Sequence, residues 1–582
     1  MNSNSIIKKS IFSRKRLMAS LFFLMALSVA LRIASPLIFR NLINDVVIDN
    51  VIRSGKIVFV SVMLVSFSIL IFLLDSQRIN KSIVFGNDIT MALSQGAYST
   101  VIRAEVLDLS KIDNDDIIDK IVNKSNRIGN DYLGKNVIPF IYDGLLITSL
   151  LITLLVVNYW FFAFTLITMP LYYFITKQVE KLIDKRIIAS KEANNDHEAL
   201  LKENLKKVKN IKLLNGINAE EERYAKLIKK VERANRKEYN LSKINGGMIN
   251  HLLADLILTG VIGIGAFLVI SNNDNIHVGS IIASLLIIPQ ILPSMRRIMD
   301  LRVMPNHIEA ERNELDEILG LKPENRADTV HQLDEIYSLK FKDVCFDYAQ
   351  NSKFNLDNIS FEIKKGEKLG ILGLNSSGKT TITDLITKVI RPKQGSVLIN
   401  NCDLNKVNSY YLRELISTVP QNFKLLNGTI EHNITYPLPF DEYKYNDALN
   451  KCHLKAVIST LDKKDKTIVS DDTDLLTLAE KQKVALANAF YKDAKIFVLD
   501  EVTSKVDNTT ENELMSEIYK LKNKIILIIS NRIFNLTNCD KILILNNGKI
   551  VEYGKTSELL DDSKSTFAKM MKEHEQSKSR VG

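Results

Sequence analysis

The chain has 582 residues, of which 46% are hydrophobic and 25% charged, and its 77 Lys and Arg against 67 Asp and Glu give a net charge of +10. At roughly 150 residues per domain this length excludes a single small module, and the ordinary charge and apolar content exclude a disordered, collagenous or coiled-coil chain. The mean hydropathy of +0.01 is too high for a typical soluble enzyme and too low for a chain wholly in membrane, so the distribution of apolar residues is what matters.

Those residues concentrate before position 295. Residues 17–39 form a long apolar run interrupted by Arg32, and 57–74 (IVFVSVMLVSFSILIFLL) carry no charge in 18 residues, the length of one membrane span. The stretch 144–176 is uncharged for 33 residues, too long for one span, and its polar-aromatic step Asn158, Tyr159, Trp160 divides it into two with a very short turn. Six spans are expected, at about 17–39, 57–75, 137–157, 160–176, 248–271 and 278–295, within a membrane domain over 17–310. The basic N-terminal segment 1–16 precedes a run too long for a signal peptide and not followed by an A-x-A-like site, so a retained first span is expected.

Segments 76–136 and 177–245 are rich in Lys and Arg, whereas the turn near Asn158 is uncharged and 271–278 has neither residue. The positive-inside rule then places both termini and both long polar segments in the cytoplasm. The same rule accounts for the net positive charge, and nucleic acid is not expected as a partner. Residues 196–240 mix both signs with Leu, Ile and Val at helical spacing and predict helices extending from the membrane. Arg32, Asp143, His251 and Asp255 are the ionisable groups in or near spans; they either line a cavity or sit solvated at span ends. His251 and Asp255, four apart, share a helix face. Pro289 and Pro293 either kink the sixth span or mark its end.

A linker is expected over 311–336, followed by a second domain over 337–575 and a tail over 576–582. Short β-rich runs at 339–346, 368–373, 495–501 and 524–530 alternate with helical patterns, indicating a parallel α/β sheet buried on both faces. The four cysteines, Cys345, Cys402, Cys452 and Cys539, all lie in the C-terminal half without a CxxC pair and read as idle thiols in a reducing compartment.

GLNSSGKT at 373–380 follows one strand and precedes a helical run, the strand–loop–helix setting of a phosphate loop. Gly373 and Gly378 permit the tight turn; Leu374, Asn375, Ser376, Ser377 and Thr381 complete the cradle; Lys379 would reach the β/γ-phosphates and Thr380 would bind Mg²⁺. Downstream, IFVL ends in Asp500 and Glu501, where a carboxylate can coordinate Mg²⁺ and its neighbour can activate a water.

Six spans followed by this nucleotide-binding half resemble an ABC exporter half-transporter over nearly the whole chain. The resemblance implies an all-α six-helix transmembrane domain, then an α/β P-loop NTPase domain of the ABC type. It implies ATP and Mg²⁺ as cofactors, a second half-transporter as partner, and a multi-pass location in the cytoplasmic membrane among its lipid. It further implies roles for Tyr348 in adenine stacking, Gln421 in sensing Mg²⁺ and the membrane domain, Asp500 in Mg²⁺ binding and Glu501 as catalytic base, with the D-loop at Ser504 to Asp507. Coupling helices are implied near 110–125 and 210–225. No protease-sized segment precedes the first span, so cleavage of a leader is not expected; the exported substrate is read as a peptide or hydrophobic small molecule.

The pattern breaks at the signature loop, where the family has LSGGQ and this chain has Leu476, Thr477, Leu478, Ala479 and Glu480. Side chains replace both glycines, and Glu480 adds charge that would repel a polyphosphate. Asp471, Asp472 and Asp474 add acidity just upstream. At the switch, Asn531 replaces the family's His; Asn can bond a phosphate but cannot carry charge. Val502 stands where Pro is usual. These departures leave open a heterodimer with one complete site, a slow homodimer, and a nucleotide-gated regulatory subunit with little hydrolysis of its own.

Overall fold

The computed structural model describes residues 2–47, 54–243, 250–270, 277–301, 304–324, 335–348, 355–373, 377–470 and 475–581. The chain divides into two compact units, Met1–Val101 with Asp113–Gly320, and Ile102–Ile112 with Leu321–Gly582.

The first unit is helical. Its long helices span Lys15–Val47, Ser54–Arg103, Ile138–Val157, Tyr159–Lys206 and Val278–Asp300. Among the described residues these five positions are long and apolar enough to cross a membrane, and a shorter apolar stretch lies at Ala254–Ile270 inside the Asn250–Ile270 helix. The ends expected for this fifth span, 248 and 271, fall within 244–249 and 271–276, outside the described residues. Large apolar side chains such as Phe72 and Ile167 stand 71% and 72% exposed, as surfaces meant for lipid do.

Asn158 alone separates two of these helices: its side chain accepts the Trp160 N–H at 2.9 Å and caps the second. The Tyr159–Lys206 helix then runs far past its apolar part. After a reversal at Asn215 (φ 52°) and Gly216, the Ile217–Lys243 helix returns along it. The pairing Ser190 to Asn235 (2.6 Å) and His197 to Tyr224 (3.0 Å) fixes the antiparallel register. The Val278–Asp300 helix continues through Pro289 and Pro293, which therefore do not mark its end.

Two expectations need correction. Residues 311–319, assigned to a linker, belong to the Met304–Leu319 helix, because Leu315, Ile318 and Leu319 fall on one helical face and are buried. Residues 339–346, grouped with the parallel strands, belong to an antiparallel sheet of their own.

That sheet comprises β1 (Ser338–Asp347), β2 (Asn355–Lys364), β4 (Gln394–Ile399) and β5 (Cys402–Asp403), ordered β2-β1-β4-β5. Leu339, Phe341, Val344 and Phe346 of β1 face the core in near alternation, the pattern of a strand with one wet face rather than two buried ones. The central sheet contains β3 (Lys368–Gly373), β6 (Ile416–Val419), β9 (Ile496–Asp500), β10 (Ile525–Ile529), β11 (Lys541–Asn546) and β12 (Lys549–Lys555). Its order is β12-β11-β3-β10-β9-β6, parallel except for β12. A small ribbon pairs β7 (Gly428–Thr429) with β8 (Ile468–Val469). β9 and β10 are buried at every residue, so the central sheet is covered on both faces.

Candidate functional site

Parallel sheets offer ligands a crevice at the carboxyl ends of their strands. Here β3 ends at Gly373, β9 at Asp500 and β10 at Ile529, side by side. Gly378 adopts φ 108°, which lets the chain turn directly into the Lys379–Ile386 helix. A Cβ on Gly373 would sit 2.4 Å from Ser377 Oγ, so only glycine fits there. Leu374, Asn375 and Ser376 lie outside the described residues.

Lys379 is buried and donates to the Gly373 carbonyl at 2.6 Å and to the Asn531 side-chain oxygen. Burial pulls its ammonium below the ordinary lysine range, against the opposing pull of Glu501 and Asp500. Asp500, 2% exposed, accepts the Thr380 hydroxyl at 3.4 Å. Its carboxyl is pushed up to about 6, first by burial and then by the adjacent Glu501. Thr381 meets the Tyr348 hydroxyl at 3.3 Å, and the Tyr348 ring packs edge-on against Phe346 while staying 46% exposed.

Glu501 leaves the strand at φ 50°, held by its N–H to the Ile529 carbonyl at 2.9 Å. This left-handed turn is costly for a glutamate and re-aims its side chain into the crevice. There each carboxylate oxygen accepts one amide: Gln421 Nε2 at 2.6 Å and Asn531 Nδ2 at 2.5 Å, with Lys379 3.8 Å away. Gln421, Glu501, Asn531 and Lys379 thus form one continuous chain across the strand ends.

At the signature loop, Leu476 is buried and Leu478 exposed. Thr477 caps the Leu478–Lys492 helix in a complete capping box with Glu480. The Glu480 carboxylate accepts the Thr477 N–H at 2.7 Å and its hydroxyl at 2.9 Å. The glutamate read from sequence as a repulsive charge is therefore engaged in closing its own helix terminus. Ala479 is half-buried in that first turn, and Asp471, Asp472 and Asp474 lie outside the described residues. Ser504 donates its N–H to the Glu501 carbonyl at 3.1 Å, and Asp507 caps the Asn508–Tyr519 helix through the Thr510 N–H at 3.0 Å.

Sequence reasoning passed over Gln482 and Glu511. Buried Gln482 donates to the Glu501 carbonyl at 3.2 Å and accepts the Lys505 N–H at 3.3 Å, tying the signature helix to the D-loop. Buried Glu511 accepts Thr503 Oγ1 at 2.7 Å and Asn535 Nδ2 at 2.6 Å and pairs with Arg532, joining the D-loop to the switch. The segment packed with this unit is Ile102–Ile112, just upstream of the expected 110–125: Leu107 contacts the β1 core and Glu105 pairs with Arg391 at 3.2 Å. Around 210–225 the short Val208–Leu213 helix precedes the reversal.

A family described as ABC transporter transmembrane region matches residues 18–295, and one described as ABC transporter matches 356–504. The ATP-dependent lipid A-core flippase of Paraburkholderia xenovorans is 26% identical over 484 residues, 81% of this chain and 79% of that protein. The leukotoxin export ATP-binding protein LtxB of Aggregatibacter actinomycetemcomitans is 33% identical over 310 residues, 52% of this chain and 43% of that protein. In fold the chain is similar to a bacterial Atm1-family ABC exporter with ATP bound, with TM-score 0.81, 20% identity and coverage of 96% of this chain and 98% of that one. With its transmembrane region and ATPase domain fused in one polypeptide, the chain belongs to the ABC transporters, as an exporter-type half-transporter.

Proposed function

We propose that this half-transporter drives export of a peptide or hydrophobic small molecule across the cytoplasmic membrane, using ATP held by the phosphate loop and hydrolysed with Glu501 as base. The observation that carries the reading is the grip on Glu501. Two neutral amides orient its carboxylate without neutralising it, and Lys379 stands at 3.8 Å rather than in a closed ion pair. A carboxylate so held can accept the proton of an attacking water, while Lys379 and the backbone at the helix start face the phosphates. Tyr348, half-exposed at the rim, offers a ring face to the adenine.

The Thr380 hydroxyl, the Asp500 carboxylate and the Gln421 side-chain oxygen are hard oxygen donors of the kind Mg²⁺ takes. When bound, Mg²⁺ supplies charge neutralisation between the terminal phosphates. Asp500, its carboxyl pushed up to about 6 by burial, would be drawn back toward the ordinary carboxylate range beside a cation.

The capping box favours a heterodimer over a homodimer. A signature helix whose Thr477 N–H is met by the Glu480 carboxylate, and whose Glu480 N–H is met by the Thr477 hydroxyl, has less to offer a partner's nucleotide, so this chain's own phosphate loop works best opposite an intact signature loop. ATPase activity of the purified chain in lipid, alone and with a neighbouring half-transporter, compared with Glu501→Gln, decides the matter. Activity that is absent with every partner and unchanged by the substitution would leave only a nucleotide-gated regulatory subunit.

A further inference from the structure

Glu501 turns out of β9 at φ 50°, a left-handed conformation that a glutamate keeps only where its surroundings hold it there. Its backbone is held from three directions. The N–H donates to the Ile529 carbonyl at 2.9 Å, and the carbonyl accepts the Ser504 N–H at 3.1 Å and Gln482 Nε2 at 3.2 Å. The first bond comes from the neighbouring strand β10, and the second closes the turn on itself. The third comes from a separate element, the signature helix Leu478–Lys492, with its donor 19 residues earlier in the chain.

Gln482 is suited to that task. It is 4% exposed, and both ends of its amide are in use. Nε2 serves the Glu501 carbonyl, with Ser504 Oγ at 3.4 Å, while Oε1 accepts the Lys505 N–H at 3.3 Å. Holding these two peptides at once takes a donor and an acceptor on one side chain; a glutamate loses the donor, and a methionine loses both. A buried amide satisfied at both ends rigidifies the elements it joins. Apolar packing reinforces the joint, since Val484 and Ala485 of the helix share one buried cluster with Val502 and Val506 of the turn. The same backbone aims the Glu501 carboxylate. With φ returned to the right-handed region, the side chain would leave the turn in another direction and give up Gln421 and Asn531.

We propose that Gln482 is a positioning residue for hydrolysis: it locks the signature helix to the Glu501 peptide, so the base keeps its aim only while that helix is in place. The proposal rests on Glu501 being the base. It separates two tasks of one helix. The first turn, with Leu478, Ala479 and Glu480, faces outward to a partner's nucleotide, whereas the second turn, with Gln482, serves the ATP held by this chain.

The test compares Gln482→Met, which keeps length and burial and loses both bonds, with Val484→Ala, which removes packing from the same helix and none of these bonds. Both are measured in the transporter assembled in lipid nanodiscs. For Gln482→Met, kcat is expected to fall about ten- to thirtyfold with KM for ATP within about twofold of wild type. Val484→Ala should melt at least as early and keep most of the wild-type kcat. In the wild type, the Lys505 amide belongs to an exposed loop residue yet should exchange its hydrogen slowly, because buried Gln482 holds it. A wild-type kcat in Gln482→Met, a kcat that follows melting temperature through both variants, or rapid exchange at Lys505 overturns the proposal. If Gln482→Met does not fold, the exchange measurement decides alone. Glu501→Gln is read beside them. Full rate in that variant removes the base reading and this proposal with it, whereas loss there with full rate in Gln482→Met removes the positioning role alone.

Discussion

The Thr477 hydroxyl accepts the Glu480 N–H at 3.3 Å while the Glu480 carboxylate reaches back to the Thr477 N–H at 2.7 Å, so the two residues satisfy each other at the start of the signature helix. A helix N-terminus is an anion site by virtue of its unmet N–H groups and its dipole. Here a carboxylate of the same helix fills part of that role. The loop is thereby stabilised without nucleotide, and a γ-phosphate approaching it would meet a fixed negative charge.

Restoring the loop should therefore increase turnover at whichever site it faces. Glu480→Gln keeps the reach-back bond, since glutamine also serves at this position of a capping box, and should change stability by less than about 1 kcal/mol. Removing the charge is expected to raise ATPase activity on the order of tenfold, the rate equivalent of roughly 1.4 kcal/mol. Adding Leu478→Gly and Ala479→Gly should raise it further by admitting closer backbone approach. Steady-state ATPase of the assembled dimer is the measurement. Identical rates in all variants would mean that the loop does not face nucleotide.

Asn531 touches both ends of the Lys379–Glu501 pair, accepting from Lys379 and donating to Glu501 at 2.5 Å. Without it the two charges, 3.8 Å apart, are free to close on each other. Asn531→Ala should lower turnover by ten- to hundredfold while ATP binding is largely kept, because a carboxylate paired with lysine is a weaker base. Asn531→His, which retains a donor toward Glu501, should preserve activity better than alanine. Rates ranked in the opposite order would remove Asn531 from the site.

Local motifs made much of the ATPase half readable. The spacing of Gly373, Gly378, Lys379 and Thr380, and the acidic pair ending IFVL, each lie within a few residues of chain. Pairing partners are another matter: the apolar content of 339–346 says that a strand forms but not which sheet receives it. Glu480 was visible as a charge, and the Thr-x-x-Glu spacing that makes it a cap was equally visible. The charged groups around one cavity of the membrane unit were only half legible. Arg32 and Asp143 stand out against apolar surroundings, whereas Asp75, Arg78 and Arg297 sit at the ends of apolar runs and join them only when helices more than 200 residues apart in sequence pack together.

Cysteine reactivity provides a test of the ATPase core that is independent of nucleotide. Burial pushes the Cys539 thiol up to about 12 and raises Cys452 well above the usual range, so at pH 8 both thiols stay protonated and unreactive. Cys345 and Cys402 are only partly covered. Iodoacetamide at pH 8 should modify Cys345 and Cys402 and spare Cys452 and Cys539 until denaturant is added, as read by peptide mass spectrometry. Early labelling of Cys539 would contradict the packing around β11.

Glu511 offers the sharpest test of how the catalytic loops are held together. One buried carboxylate receives Thr503 from the D-loop side and both Asn535 and Arg532 from the switch side. Glu511→Ala leaves buried Thr503 and Asn535 without their acceptor and Arg532 without its partner. Because Arg532 is 44% exposed it can turn to water, so the loss comes chiefly from the two neutral groups, about 2–4 kcal/mol together. For a unit of this size that corresponds to a melting shift of roughly 5–10 °C. Glu511→Gln keeps an acceptor for Thr503 and Asn535 but gives up the charge on Arg532. It should melt within a few degrees of wild type yet turn over several-fold more slowly at unchanged ATP affinity, since the switch carrying Asn531 is then less firmly placed against Glu501. A merely structural role predicts that rate follows melting temperature across both variants. A positioning role predicts that Glu511→Gln loses rate without losing stability, and thermal unfolding measured alongside ATPase separates the two.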